Sequence, residues 1–182
     1  MTHLDSIPKD GVLLDVFRAF PGAARHLIMY HEVLMRGPSP LSVGERELIA
    51  AYVSGLNACS YCHGIHSVTA QAFGVPEHLI KDMVLDLDAA SVDERLRPLL
   101  RFVRALTKLP SRVIQADIEA IRSAGWGDDA IHDAVAVCAL FNFMNRYVEG
   151  LGISANDTYF QLSGRRLHEG GYAGLLHLLP GT

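Results

Sequence analysis

The residues with the clearest capacity for chemistry lie in one ten-residue string, Asn57-Ala58-Cys59-Ser60-Tyr61-Cys62-His63-Gly64-Ile65-His66. On a helix turning about 100° per residue, Cys59, Cys62 and His66 fall in a stripe roughly 60° wide, so the three side chains meet on one face. His66 lies one turn past Cys62, where its imidazole can take a thiol proton. The first turn of a helix also presents free N–H groups and a partial positive charge, which favour thiolate. A thiolate beside a base, with a second thiol within bonding distance, can attack a peroxide or a disulfide. The product is then resolved within the chain.

Other uses of this string compete. A zinc site could draw on Cys59, Cys62, His66 and one of His63 or Glu47, but zinc sites usually bring a second ligand pair from a distant segment. Two buried cysteines beside a core histidine could also be purely structural. A thioredoxin-like arrangement is disfavoured, because there the motif follows a strand and here a helix precedes it. Glu47 stands twelve residues before Cys59 on that preceding helix. A short turn over Gly55–Asn57 would let the two helices pack antiparallel and bring Glu47 onto His66, fixing its tautomer.

The elements needed to hold this string are helical almost throughout, since alternating β-branched runs are absent. Helices are predicted at about 12–20, 22–36, 42–55, 58–73, 77–86, 92–108, 115–124 and 128–150. Gly37-Pro38-Ser39-Pro40 ends one of them, because proline cannot continue the hydrogen-bond ladder. Ser42 and Glu45 have the spacing of a capping box, as do Ser91 and Glu94, where Pro98 would kink or restart the helix. Gly55 is predicted to supply the left-handed closing residue, and Asn57 and Asp128 to cap the helices that follow them. Ala134–Met144, apolar except for Asn142, reads as a central buried helix. On it Asn142, Asn145, Arg146 and Glu149 form a polar stripe, read as a solvated or subunit-contact face, with the mouth of the thiol pocket as the alternative. Cys138 reads as a core residue, and His31 with the other scattered histidines as surface or satisfied core. Residues 163–182, rich in glycine, are predicted to be an irregular tail.

The 182 residues fit one domain, taken as 1–182 with the motif core at about 40–153. Apolar residues make up 49% and charged residues 20%, so some apolar surface is expected to be covered by another copy of the chain. Net charge is −4 with a pI near 6.1, and no basic stripe interleaves with aromatics, which argues against nucleic acid. No apolar run reaches the roughly 18 residues of a membrane span. The first ten residues lack a basic segment followed by an apolar one, so a cytoplasmic protein is expected. Three cysteines, two of them three apart, fit redox chemistry better than a secreted disulfide framework.

The string Glu47, eleven residues, Cys59-x-x-Cys62-x-x-x-His66, with Tyr52-Val53-Ser54 and Asn57, resembles the alkylhydroperoxidase AhpD-like branch of the carboxymuconolactone decarboxylase superfamily. A second stretch runs through Leu106-Thr107, Asp117, Ala124-Gly125-Trp126, Phe141-Asn142-Phe143, Asn145-Arg146 and Gly150-Leu151-Gly152. It is similar to the peroxidase-related subgroup. The resemblance implies an all-α, AhpD-like helical fold with a central antiparallel helix pair carrying the motif, assembling as trimers or hexamers. It implies a peroxidatic Cys62, a resolving Cys59, and a relay of Glu47 and His66. The best-studied relay also has a histidine directly before the second cysteine; here that position is Tyr61, a poor base near neutral pH. His63 is displaced by about 200° from Tyr61 and cannot replace it.

The reading that follows is a thiol-dependent peroxidase that reduces hydroperoxides and is restored by a dithiol or redox protein. No cofactor or metal is expected. The alternatives are a non-peroxidatic disulfide reductase or redox adaptor, a decarboxylase-like enzyme, and a non-catalytic helical oligomer. The decarboxylase members lack this cysteine pair, which weakens that alternative. Activation by His66 and the helix N-terminus should put the Cys62 thiol below the ordinary range.

Overall fold

A computed structural model describes residues 1–108 and 111–181; Leu109, Pro110 and Thr182 lie outside the described residues. Among the described residues there are helices and turns but no strand. In chain order the helices are α1 (Leu13–Ala19), α2 (Pro21–Arg36), α3 (Val43–Leu56), α4 (Ser60–Ala72), α5 (Glu77–Asp86), α6 (Arg97–Thr107), α7 (Gln115–Ser123), α8 (Asp128–Gly150) and α9 (Asp157–Gly170), with a 3₁₀ turn over Ala173–Leu178.

Helix α3 is the centre of the molecule. Every residue from Glu45's neighbour Arg46 to Ser54 is buried, so this helix has no solvent face and must be covered on all sides. Helices α4, α5, α6 and α8 pack around it. Its start is fixed by the predicted capping box: Ser42 Oγ accepts the Glu45 N–H at 3.2 Å and the Glu45 carboxylate accepts the Ser42 N–H at 2.6 Å. Contacts between α3 and α4 run in antiparallel order, with Glu47 on His66, Ala51 on His63 and Ser54 on Cys59.

The turn that joins them differs from expectation. The left-handed residue is Ala58, with φ 55°, and not Gly55. Gly55 is glycine for space, since a Cβ there would run into Val84 and His63. Asn57 closes α3 instead of capping α4, and its amide turns inward. Two other caps also differ. Helix α6 starts only at Arg97, with Pro98 in its first turn, and Glu94 pairs with Arg97 rather than capping from Ser91. Gly127 precedes α8, and Asp128 pairs with Arg122.

The largest departure is the tail. The chain is helical to Gly170, and α9 packs on α4 through the small residues Ser163 and Gly164. A Cβ at Gly164 would strike Val68, and one at Gly64 would strike Phe160, so these glycines permit close helix approach. Asn156 caps α9, its Oδ1 accepting the Tyr159 N–H at 3.0 Å. Gly171, at φ 61°, then turns the chain so that Tyr172 enters the core.

Candidate active site

Glu47 is fully buried in the middle of α3 and accepts from three donors on three other elements. His66 Nδ1 on α4 lies 2.7 Å from one carboxylate oxygen. Arg36 Nη1 at the end of α2 donates to the other at 2.7 Å, and the Tyr172 hydroxyl donates to that same oxygen at 3.0 Å. Burial pushes the Glu47 carboxyl up, but His66 and Arg36, by charge and hydrogen bond, more than offset it and hold it below the ordinary carboxylate range. The carboxylate accepts only, so the proton of His66 sits on Nδ1 and its Nε2 is a free acceptor. Arg36 is held in turn by the carbonyls of Met35 and Leu167 and lies over the rings of Phe73 and Tyr172.

The thiols of Cys59 and Cys62 are both buried and unpaired as a disulfide. Cys59 immediately precedes α4, and Cys62 is in its first turn. The Cys62 side chain and backbone N–H lie close enough to the Cys59 sulfur to act on its titration. These contacts bring the Cys59 thiol below its ordinary value against burial and the Glu149 carboxylate. Cys62 moves the other way: the hydrogen bond to Cys59, burial and the charge on Cys59 push it up, with the Asn145 amide opposing. This corrects the expectation for Cys62. His66 and the helix end do not offset a dry site in which the neighbouring sulfur takes the negative charge first.

Beside Cys62 and His66 is an apolar cavity of about 80 Å³, walled by Leu13, Leu14 and Phe17 of α1, Ile28 of α2, Phe141 and Met144 of α8, and Leu175 of the 3₁₀ turn. Cys59 is not among its lining residues. His66 packs edge-on against Phe141 at 4.4 Å between ring centroids. Tyr61 also lines the cavity, but its hydroxyl is away from the Glu47 cluster: it accepts the Leu13 N–H at 3.2 Å and meets the Tyr159 hydroxyl at 3.3 Å. Burial pushes the Tyr61 phenol far up, with Tyr159 adding to it. Tyr61 is therefore a wall that holds α1 rather than a member of the cluster.

Of the residues predicted as a site, Glu47, His66, Cys62 and Cys59 come together and Tyr61 stands at their edge. His63 turns away and bonds the Ala51 carbonyl. Among the described residues no group of three or more His, Cys, Asp or Glu side chains has metal-binding geometry. Arg36, Tyr172 and His31 were not legible as site residues, because they come from distant segments with no fixed spacing. The polar stripe of α8 divides. Asn145 is buried, donates to Ser54 Oγ at 3.0 Å and accepts from Asn57 at 2.9 Å, whereas Arg146 and Glu149 are exposed. The reading of the stripe as a solvated face is corrected at Asn145.

The family profile of the carboxymuconolactone decarboxylase family matches residues 21–105. An uncharacterized peroxidase-related protein from Silicibacter sp. TM1040 is 30% identical, over 81% of this chain and 78% of that one, with a TM-score of 0.75. A second peroxidase-related protein with an AhpD core, from Ralstonia eutropha JMP134, is also 30% identical, over 82% and 78%, with a TM-score of 0.74. A debrominase, solved in complex with a tribromopyrrole, shares the fold at 15% identity and a TM-score of 0.70, over 86% and 81%. No curated protein sequence matches the chain. The fold is that of a helical AhpD-like protein, and the chain belongs to the carboxymuconolactone decarboxylase family as an AhpD-like member.

Proposed function

We propose that the protein reduces a hydroperoxide with Cys62 as the attacking thiol and Cys59 as the resolving one. The observation that carries this reading is access: Cys62 and His66 line the cavity and Cys59 does not. His66 Nε2 takes the Cys62 proton, while Glu47, held below the ordinary carboxylate range by His66 and Arg36 and hydrogen-bonded by Tyr172, holds the ring and stabilises the imidazolium. The sulfur bonds the terminal peroxide oxygen, the O–O bond breaks, and the leaving alkoxide takes the proton back from His66. Cys62 is then a sulfenic acid. Cys59, whose thiol is held below the ordinary range, attacks it; water leaves and a disulfide forms. A dithiol or a redox protein returns both thiols.

A second reading, disulfide reduction led by Cys59, is favoured by the lowering of that thiol below its ordinary range. Titration with tert-butyl hydroperoxide separates the two. The peroxidase reading expects two thiols lost per equivalent of peroxide and their return with dithiothreitol. No loss of thiol, with rapid exchange against a small disulfide, would replace it with the second reading.

Self-assembly is proposed on exposed apolar residues, Met29, Tyr30 and Val33 on α2 and Val135 and Phe143 on α8. Light scattering at micromolar concentration is expected to report a trimer or hexamer; a monodisperse monomer would contradict this. Among the described residues no helix is long and apolar enough to cross a membrane.

A further inference from the structure

His31 stands on α2, buried at 5% exposure, and takes no part in the chemistry above. Its ring lines the same cavity as Cys62 and His66, packed against Phe141 and, at 5.1 Å between centroids, against Tyr172. Nδ1 lies 2.8 Å from the Leu27 carbonyl, which can only accept, so the ring proton is on Nδ1. Burial pulls the pKa down to about 4, with His66 adding to it. The ring is then neutral near pH 7, and Nε2 presents a bare lone pair. No side chain or backbone group among the described residues donates to it. With no partner from the chain and a place on the cavity wall, this acceptor is open to a donor on a bound molecule.

We propose that Nε2 of His31 is a ligand-binding acceptor, and that the cavity takes a small, neutral, largely apolar molecule offering one O–H donor to it. The other walls are mainly apolar, with the Ser163 hydroxyl among them, and a volume of about 80 Å³ suits a short or branched alkyl group. Arg166, at the rim, also borders an outer groove with Glu169, so it does not give the interior a cationic floor. Resting on the hydroperoxide reading above, the inference gives His31 a task. A terminal peroxide O–H donated to His31 keeps its hydrogen throughout the reaction. That bond aims the terminal oxygen at Cys62, while His66 handles the one proton that moves. His31 would thus separate hydroperoxides from dialkyl peroxides, which have no O–H to donate.

The reduced protein, with its histidines labelled with ¹⁵N, is titrated with tert-butanol, tert-butyl methyl ether and pivalate. These unreactive probes share one alkyl group and differ in offering a donor, an acceptor or an anion. The alcohol is expected to move the His31 Nε2 resonance upfield, and the ether to leave it in place. In His31→Phe the preference for alcohol over ether should fall about 3- to 10-fold, the worth of one hydrogen bond. A shift at His66 alone, an unchanged preference in His31→Phe, tighter binding of pivalate, or no binding of the alcohol would each overturn the assignment. If His31→Phe does not fold, the resonance shift in the unaltered chain decides. The peroxide titration of thiols is separate: its failure beside intact alcohol binding would sink the peroxidase reading and leave His31 as a ligand site.

Discussion

The two ends of the site are built on opposite principles. At the Glu47 end the carboxylate is fully engaged, with donors from α2, α4 and the segment after α9, and Arg36 Nε is left without a bond. At the cavity end, two imidazole nitrogens and a thiol stand among apolar side chains. The first arrangement fixes geometry, because a buried charge with its partners in place resists displacement. The second keeps groups available to whatever enters the cavity. A polar cluster by itself therefore says little about chemistry; what distinguishes the cavity end is that His31, His66 and Cys62 line a space that another molecule can enter.

The comparison is broken most severely by removing one member of the satisfied end. Glu47→Leu leaves Arg36 as an uncompensated charge, with an expected loss of about 3–5 kcal/mol in denaturant unfolding. Arg36→Met in the same chain should recover much of it, since the uncompensated charge is then gone. Equal instability of the single and double variants would mean that the cluster is not a coupled unit.

A smaller effect distinguishes the two ends by pH. The folded His31 pKa of about 4 lies below the ordinary value of 6.5, so between these values the unfolded chain binds more protons. Stability from this group is complete above pH 6.5 and declines as pH falls to 4, by about 3 kcal/mol at most. His66 and Glu47 face His31 across the site. Glu47 is held below its ordinary value of 4.5, so its own contribution is present above that pH and is lost only as the solution becomes more acidic. His31→Phe should flatten the decline between 6.5 and 4 and leave the steeper acid limb. A parent profile that is flat over that window would show that His31 is not held neutral.

The smallest expected effect sharpens the account of the turn beside Cys59. Ala58 pays for a left-handed conformation that glycine adopts freely, although glycine loses more freedom on folding. Ala58→Gly should raise stability by about 0.5 kcal/mol and leave the thiol count after peroxide unchanged. A loss of stability would show that the methyl group matters more than the backbone.

Local pattern made the α3–α4 pair legible, because the capping residues, the periodic apolar positions and the Cys-Cys-His stripe lie within one short stretch. Glu47 could be placed on His66 for the same reason. The tail was misread because its glycines were taken as breaks, whereas Gly164 serves a close helix contact and only Gly171 turns the chain. Arg36, His31 and Tyr172 enter from segments brought together only by tertiary packing, which spacing along the chain does not encode. The lowered thiol expected at Cys62 failed because helix position was weighed without knowing how dry the site is or how closely Cys59 approaches.

The central claim is that the cavity selects Cys62 for the first attack even though Cys59 is the thiol held below its ordinary range. It is tested most directly by treating Cys59→Ser and Cys62→Ser with one equivalent of tert-butyl hydroperoxide in the presence of dimedone, followed by peptide mass spectrometry. The account predicts a dimedone adduct on Cys62 in the Cys59→Ser protein and no peroxide consumption by Cys62→Ser. An adduct on Cys59 in Cys62→Ser, formed as fast as the parent consumes peroxide, would contradict it and exchange the roles of the two thiols.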